Sequence, residues 1–299
     1  MLTIFSIPKP FTGLAAVQQR NAIQSWLHLT PECQIILCGS DPSVVAAASE
    51  LGVESMPEIR SNEFGTPFLD SVFSQAFARA RFPLLCYVNS DIILMDSFTE
   101  AIARIKLDKF LAVGQRTDLD LTELIDFEDP FWHSKLLELS AAKGELHSSF
   151  GIDYFVFTRN SNLQNLPPFL VGRPRWDNWF IYNARKLKTP IVDLTPVCQV
   201  IHQNHNYAHI PQWKGKFWSG PETEQNSELY KELVGDTDHH CNTKDATHVL
   251  TKTRLKPALA RGYLYQRLQT SALLHPFLRP LAKLVKAFYL NKQRNHEKN

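Results

Sequence analysis

Cysteine is sparse and unpaired in this 299-residue chain: Cys33, Cys38, Cys86, Cys198 and Cys241 are scattered, odd in number and form no CxxC. That excludes a disulfide framework and reads as reduced, mostly buried thiols in a cytoplasmic protein. Charge of one sign is not in excess either. With 32 basic against 30 acidic residues, net +2, the chain lacks the basic surplus of a general nucleic-acid binder, so no nucleic-acid partner is expected. The N-terminal MLTIFSIPKPF has no basic n-region and meets proline at position 8, so it reads as a first strand and not as a signal peptide or a membrane span. Internal repeats and low-complexity tracts are missing.

Apolar material is plentiful, at 44% of residues, and the length suits one large α/β domain or a domain with an appendage. Strands are expected over 2–7, 34–38, 53–59 and 84–88, with helices over 13–29 and 43–51 and a third that starts at Thr66-Pro67 and runs through Ala80. That alternation of strand and helix is the pattern of a parallel sheet wound with helices. Further on, 97–105 reads as helix, 110–114 and 151–157 as strands, 118–129 as an exposed acidic loop or helix start, 176–188 as helix and 191–201 as the last strand. Residues 222–233 and 245–255 read as helices, and 259–291 as a basic amphipathic segment.

The densest signal is the segment 82–94, FPLLCYVNSDIIL. Leu84 to Val88 form an apolar run of strand length suited to burial on both faces. Asn89-Ser90-Asp91 follows where that strand must end. In open α/β sheets ligands bind beyond the carboxyl ends of the strands, so Asp91 is placed for chemistry; the same three residue types also favour a plain turn.

In order, the wound sheet, the NSD step after the fourth strand and the helix that follows resemble the GT-A fold of nucleotide-sugar glycosyltransferases, with NSD as a variant of its DxD motif. The resemblance covers roughly residues 1–210. It implies an α/β, Rossmann-like, mostly parallel sheet flanked by helices, with a catalytic domain over 1–215 (donor half about 1–116, acceptor half about 117–215) and a helical C-terminal extension over 216–299. By resemblance Asp91 coordinates a divalent ion, manganese or magnesium, and Asn89 hydrogen-bonds the ribose or a metal-bound water, with Ser90 between them. A hard cation suits carboxylate oxygens and stabilises charge on a leaving diphosphate.

The same resemblance assigns the other strand ends. Ser6, Pro8, Lys9 and Arg20 would lie near base, ribose or phosphate, Lys9 alternatively being a solvated loop charge. Asp41 would hold uracil or ribose, or cap a helix. Asn62 and Gly65 would approach the nucleotide and Arg60 the diphosphate, unless they only form a turn. Arg116 and Asp153 are candidate acceptor contacts. In PFLVGRPRWDNW, Asp177 matches the carboxylate that takes the proton from the acceptor hydroxyl, with Trp176, Asn178 and Trp179 as an acceptor platform, or else Asp177 caps a helix between core tryptophans. His202, His205 and His209 form a block in which His202 or His205 would be a second metal ligand.

The resulting expectation is a metal-dependent, inverting transferase that uses a nucleotide-diphosphate sugar donor and a carbohydrate or lipid-linked acceptor. A sugar nucleotidyltransferase and a non-catalytic carbohydrate-binding scaffold are the alternatives; the former usually carries a glycine-rich loop after strand one, which PKPFTG matches poorly. A zinc hydrolase built on the histidine block lacks an HExxH. The basic tail can lie on an anionic membrane surface as a peripheral contact, or pack on the catalytic domain or another subunit.

Overall fold

A computed structural model describes residues 2–205 and 219–296. In chain order the first elements are β1 (Leu2–Ser6), α1 (Gly13–Leu27), β2 (Gln34–Cys38), α2 (Pro42–Glu50), β3 (Glu54–Met56), α3 (Leu69–Arg79), β4 (Leu84–Val88), β5 (Ile92–Leu94) and α4 (Asp96–Ala103). Next come β6 (Leu111–Val113), β7 (Thr117–Leu119), α5 (Trp132–Lys143), β8 (Glu145–Leu146), β9 (Tyr154–Thr158), α6 (Trp176–Lys186), β10 (Ile191–Asp193) and β11 (Val200–Gln203). The chain closes with α7 (Pro221–Val234), β12 (His248–Leu250), β13 (Leu255–Pro257), α8 (Arg261–Leu274) and α9 (Arg279–His296).

Nine strands form the main sheet in the order β13-β12-β10-β6-β9-β4-β1-β2-β3. All its pairings are parallel except those of β9, which runs against β4 and β6, and of β13, which runs against β12. The apolar runs LTIFS, QIILC and LLCYV supply its centre, as expected of strands covered on both faces. On one face Phe5, Tyr87, Phe155 and Phe157 pack with Phe73 of α3 and Trp176 and Phe180 of α6. On the other, Ile4, Cys86, Val88 and Val156 pack with Trp26 of α1, Val44 of α2 and Phe98 of α4. Helices therefore lie on both sides of the sheet, the α/β architecture the sequence pattern implied.

A second sheet, β5-β11-β7-β8, stands beside the carboxyl end of β4. Ile93, Leu119 and Ile201 point from it onto Leu136 of α5. Strand alternation then turns Ile92, Asp118 and His202 to the opposite face.

Three local expectations are corrected. The third helix starts at Leu69 and not at Thr66-Pro67, because Pro67 and Phe68 are held extended by bridges to Ser61 and Leu170. Residues 191–201 are two strands in different sheets: the Asp193 carboxylate accepts the Thr195 amide at 2.9 Å, turning the chain, and Pro196 has no N–H for a ladder. Residues 245–255 form no α-helix; β12 pairs in parallel with β10, and the β-branched Thr247, Val249, Thr251 and Thr253 at alternate positions suit a strand.

Candidate metal and donor site

Asp91 lies between β4 and β5, where the two sheets meet. Antiparallel pairing of β5 with β11 sets Ile92 opposite His202, and parallel pairing of β11 with β7 sets His202 opposite Asp118. Both histidines converge on the aspartate: His205 Nε2 is 3.0 Å and His202 Nε2 3.9 Å from Asp91 Oδ2. Asp91 Oδ1 is buried and takes no hydrogen bond from any of the described residues. Burial would raise the Asp91 carboxyl, but the His205 hydrogen bond and the facing His202 and Lys9 outweigh it and hold it below the ordinary carboxylate range.

Helix α1 supports this loop with polar side chains, several of them fully buried. Gln19 accepts the Ser90 hydroxyl at 2.9 Å and the Lys9 amide at 2.6 Å, and donates to the Lys9 carbonyl at 2.9 Å. Asn21 donates to Gln203 Oε1 at 3.0 Å, while Gln203 donates to the Gln18 carbonyl at 2.8 Å. The Trp26 indole donates to the Ile92 carbonyl at 2.9 Å. Lys9 is thereby held near Asp91: burial lowers its ammonium pKa, and the Asp91 charge partly restores it.

Behind the histidines runs a charged network. Asp118 Oδ1 accepts from Arg116 Nε at 2.8 Å and lies 3.1 Å from His202 Nδ1, and Asp118 Oδ2 lies 2.6 Å from His147 Nδ1. Arg116 Nη1 donates to Asp153 Oδ2 at 2.8 Å, and the Asn89 amide donates to Asp153 Oδ1 at 2.6 Å. Asp118 is desolvated, yet His202, His147 and Arg116 hold its carboxyl below the usual range. Two glycines make room: a Cβ on Gly151 would stand 2.3 Å from the His147 ring, and one on Gly114 2.3 Å from the Tyr154 hydroxyl.

Asp177 opens α6. Its Oδ1 is buried without a partner, and desolvation, reinforced by the nearby Asp153 charge, raises its carboxyl to about 6 against the pull of the Asn178 amide and Arg175. Arg175, just before it, has φ 88°, a left-handed conformation unusual for a long side chain.

Asn89, Ser90, Asp91, Lys9, Arg116, Asp153, His202 and His205 thus come together, and Pro8 is buried in the turn before Lys9. His209 lies outside the described residues. One N–H of the Asn89 amide goes to Asp153, leaving its second N–H and its oxygen for the expected ribose or metal-bound water. Several other expectations are corrected. Trp176 and Trp179 are each 6% exposed and pack on Tyr87 and Phe155, and on Phe169; Asn178 donates to the Cys241 carbonyl. They are core and offer no sugar platform. The Ser6 hydroxyl is buried against the Val88 carbonyl, and Arg20 forms a two-pronged pair with Glu50. Asp41 caps α2 through Ser43. Asn62 closes a turn by accepting the Phe64 and Thr66 amides and donates to Glu222, with Gly65 at φ 80° inside that turn. Arg60 pairs with Asp70. Asp118, His147 and Gln19 were not singled out from sequence.

Asp91, His202 and His205 each offer one donor atom, all within 4.8 Å of one another, and the unpartnered Asp91 Oδ1 fits a cation there. His239, Cys241 and Asp245 also cluster, but both Asp245 oxygens already accept protein hydrogen bonds, one from the Asn242 amide and the other from Thr270, so this second group reads as a clasp holding α8.

No protein-family model matches the sequence, and no curated protein matches it. Solved structures do resemble the fold. Staphylococcus aureus TarS residues 1–349 in complex with UDP-GlcNAc aligns with TM-score 0.51 at 10% identity, over 80% of this chain and 67% of that one. GalNAc-T7 with UDP, GalNAc and Mn2+ gives 0.49 at 13%, over 77% and 48%. Mycobacterium tuberculosis glucosyl-3-phosphoglycerate synthase gives 0.45 at 13%, over 80% and 82%. The chain has a GT-A-like, nucleotide-diphospho-sugar transferase fold.

Proposed function

We propose that this chain is a metal-dependent glycosyltransferase that moves a sugar from a nucleotide-diphosphate donor to a hydroxyl of a carbohydrate or lipid-linked glycan, with inversion at the anomeric carbon. The observation that carries the reading is the convergence of Asp91, His202 and His205 at the carboxyl end of β4, with an Asp91 oxygen buried and unpartnered. One carboxylate and two imidazoles suit manganese better than magnesium, which favours an all-oxygen shell. When bound, the ion supplies positive charge against the leaving diphosphate.

The protein's own groups divide the remaining work. Lys9 adds a cation on the donor side, and Asn89 and Arg116 fix Asp153 from two directions. Asp177 is the general base: raised to about 6, it is ionised at neutral pH yet basic enough to take a hydroxyl proton. Residues 1–116 form the donor half, 117–215 the acceptor half and 216–299 the extension. Five free thiols support a reducing compartment, the cytoplasm.

The test is incubation with UDP-, GDP- and CDP-sugars plus manganese, following nucleotide binding and slow donor hydrolysis. Metal-dependent binding of one nucleotide class is expected and should vanish in Asp91→Ala. No binding and no hydrolysis with any donor would overturn the reading.

A further inference from the structure

Charge is distributed very unevenly along this near-neutral chain. Residues 246–299 hold 11 of the 32 basic residues and one of the 30 acidic ones, Glu297, which leaves 21 basic against 29 acidic in residues 1–245. The last segment is therefore strongly cationic and the rest anionic. Between Ala246 and His296 there is no carboxylate side chain.

Helix α9 has two distinct apolar faces. One is used for packing: Ala282 is 5% exposed, its carbonyl accepts from Gln269 of α8, and Tyr289 stacks on Tyr265 of α8 with ring centroids 4.6 Å apart. The other points away. Leu281, Leu284 and Phe288, with Phe277 from the turn just before the helix, follow at intervals of four, three and four residues and form a ridge with exposures of 77% for Phe277 and 50, 69 and 71% for the other three. No described part of the chain covers it. The exposed Arg279 and Lys283, each two positions after a ridge residue, stand on a different side of the helix, so apolar and basic stripes are separated.

We propose that this ridge docks on an anionic lipid bilayer, with α9 lying in the interface plane. Charge complementarity selects this occupant: a protein groove for an apolar stripe needs no carboxylate-free run of sequence, whereas negatively charged headgroups attract each lysine and arginine held near them, with Lys286 alone among the described residues facing an acid, the exposed Asp238 at 3.7 Å. The pattern also fits lying on the membrane and not crossing it, since no helix among the described residues is long and apolar enough to span. Two phenylalanines at the ends of the ridge would enter the headgroup and acyl boundary while the basic residues stay in water. This docking is independent of the transfer chemistry proposed above.

The experiment is co-sedimentation of the full chain with vesicles of phosphatidylcholine alone, and of phosphatidylcholine with about 30% phosphatidylglycerol. Partitioning at least about tenfold higher on the anionic vesicles is expected, and it should fall as salt is raised to about 0.5 M. Leu284→Ser with Phe288→Ser should abolish it with thermal unfolding unchanged. Should that variant unfold early, Arg279→Glu with Lys283→Glu is decisive, because it keeps the apolar ridge and must still lose binding. Equal partitioning on the two vesicle types, or none on either, overturns the proposal. So does a concentration-dependent dimer that Leu284→Ser dissolves while vesicle binding is absent, since the ridge would then belong to a second copy of the chain.

Discussion

The Asn89 amide donates to Asp153 Oδ1 at 2.6 Å, from the position two residues before Asp91. A carboxylate there would face the Asp153 carboxylate, which is nearly buried and already pairs with Arg116. The asparagine is therefore a fitted partner, supplying a neutral donor where a second acid would repel.

Asn89→Asp is expected to destabilise the protein by about 2 kcal/mol, since two carboxylates at hydrogen-bond distance cannot both ionise without cost. The unfolding midpoint should drop several degrees at neutral pH. The loss should shrink as pH falls: a pair whose folded pKa is raised loses stability as pH rises and regains it when one member is protonated. Asn89→Ala, which only removes the donor, should cost about 1 kcal/mol with little pH dependence. Thermal unfolding of both variants between acid and neutral pH checks the contrast.

Asp118→Asn should weaken manganese binding by about 10- to 100-fold while the protein stays folded. The aspartate lies 3.1 Å from His202 Nδ1, and partners of this kind fix the orientation and basicity of a ligating imidazole. His205→Ala should weaken binding at least as much. Titration calorimetry, or the manganese electron spin resonance signal, reads both without any assay of transfer.

Asp177 makes stability and activity depend on pH in opposite directions. Its folded carboxyl is raised to about 6 from 3.8, so between those values the native state holds the proton that the unfolded chain has lost. Stability therefore falls as pH rises through that window and levels off above it. Asp177→Asn should be more stable than the parent at pH 8, by on the order of 3 kcal/mol, and indistinguishable near pH 3. As a general base the same group should make transfer rise about tenfold per pH unit up to about 6, and Asp177→Asn should abolish transfer while leaving donor binding intact. A pH series of urea unfolding and a pH–rate profile test the two halves separately.

Thiol reactivity should be low in the native state. Burial pushes Cys33 to about 11 and Cys38 and Cys198 to about 12, and Cys86 and Cys241 are fully buried. A chromogenic disulfide reagent at pH 8 should therefore label the folded protein slowly, with half-exposed Cys33 first, and all five positions at once in denaturant.

The main sheet was legible because its central strands are buried on both faces and so read as unbroken apolar runs. Asp91 was legible from its place after one of them. Strands β5, β7 and β8 were not, since two or three residues carry no periodicity of their own. Asp118 was hidden in the acidic stretch 118–129, whose composition suggests solvent; only the short Thr117-Asp118-Leu119 alternation set it apart. Gln19 and Asn21 escaped notice because polar residues on a helix normally mark its wet face. Trp176 and Trp179 were misassigned for the opposite reason: an aromatic residue at a helix entrance has the same appearance whether it faces a sugar or the core. Their spacing with Phe180 and Ala184, at intervals of three, one and four, was the clue that they point inward.

The pairing of Asp91 with His205 joins positions 114 residues apart. At ribosomal rates that stretch takes on the order of ten seconds to synthesise. Through that interval the nascent chain displays its acid without the imidazoles, and the strand that carries His202 has not yet been made. If these residues hold a cation as proposed, its capture waits until β11 has been made and the second sheet can close, by which point β1 to β10 have all been synthesised.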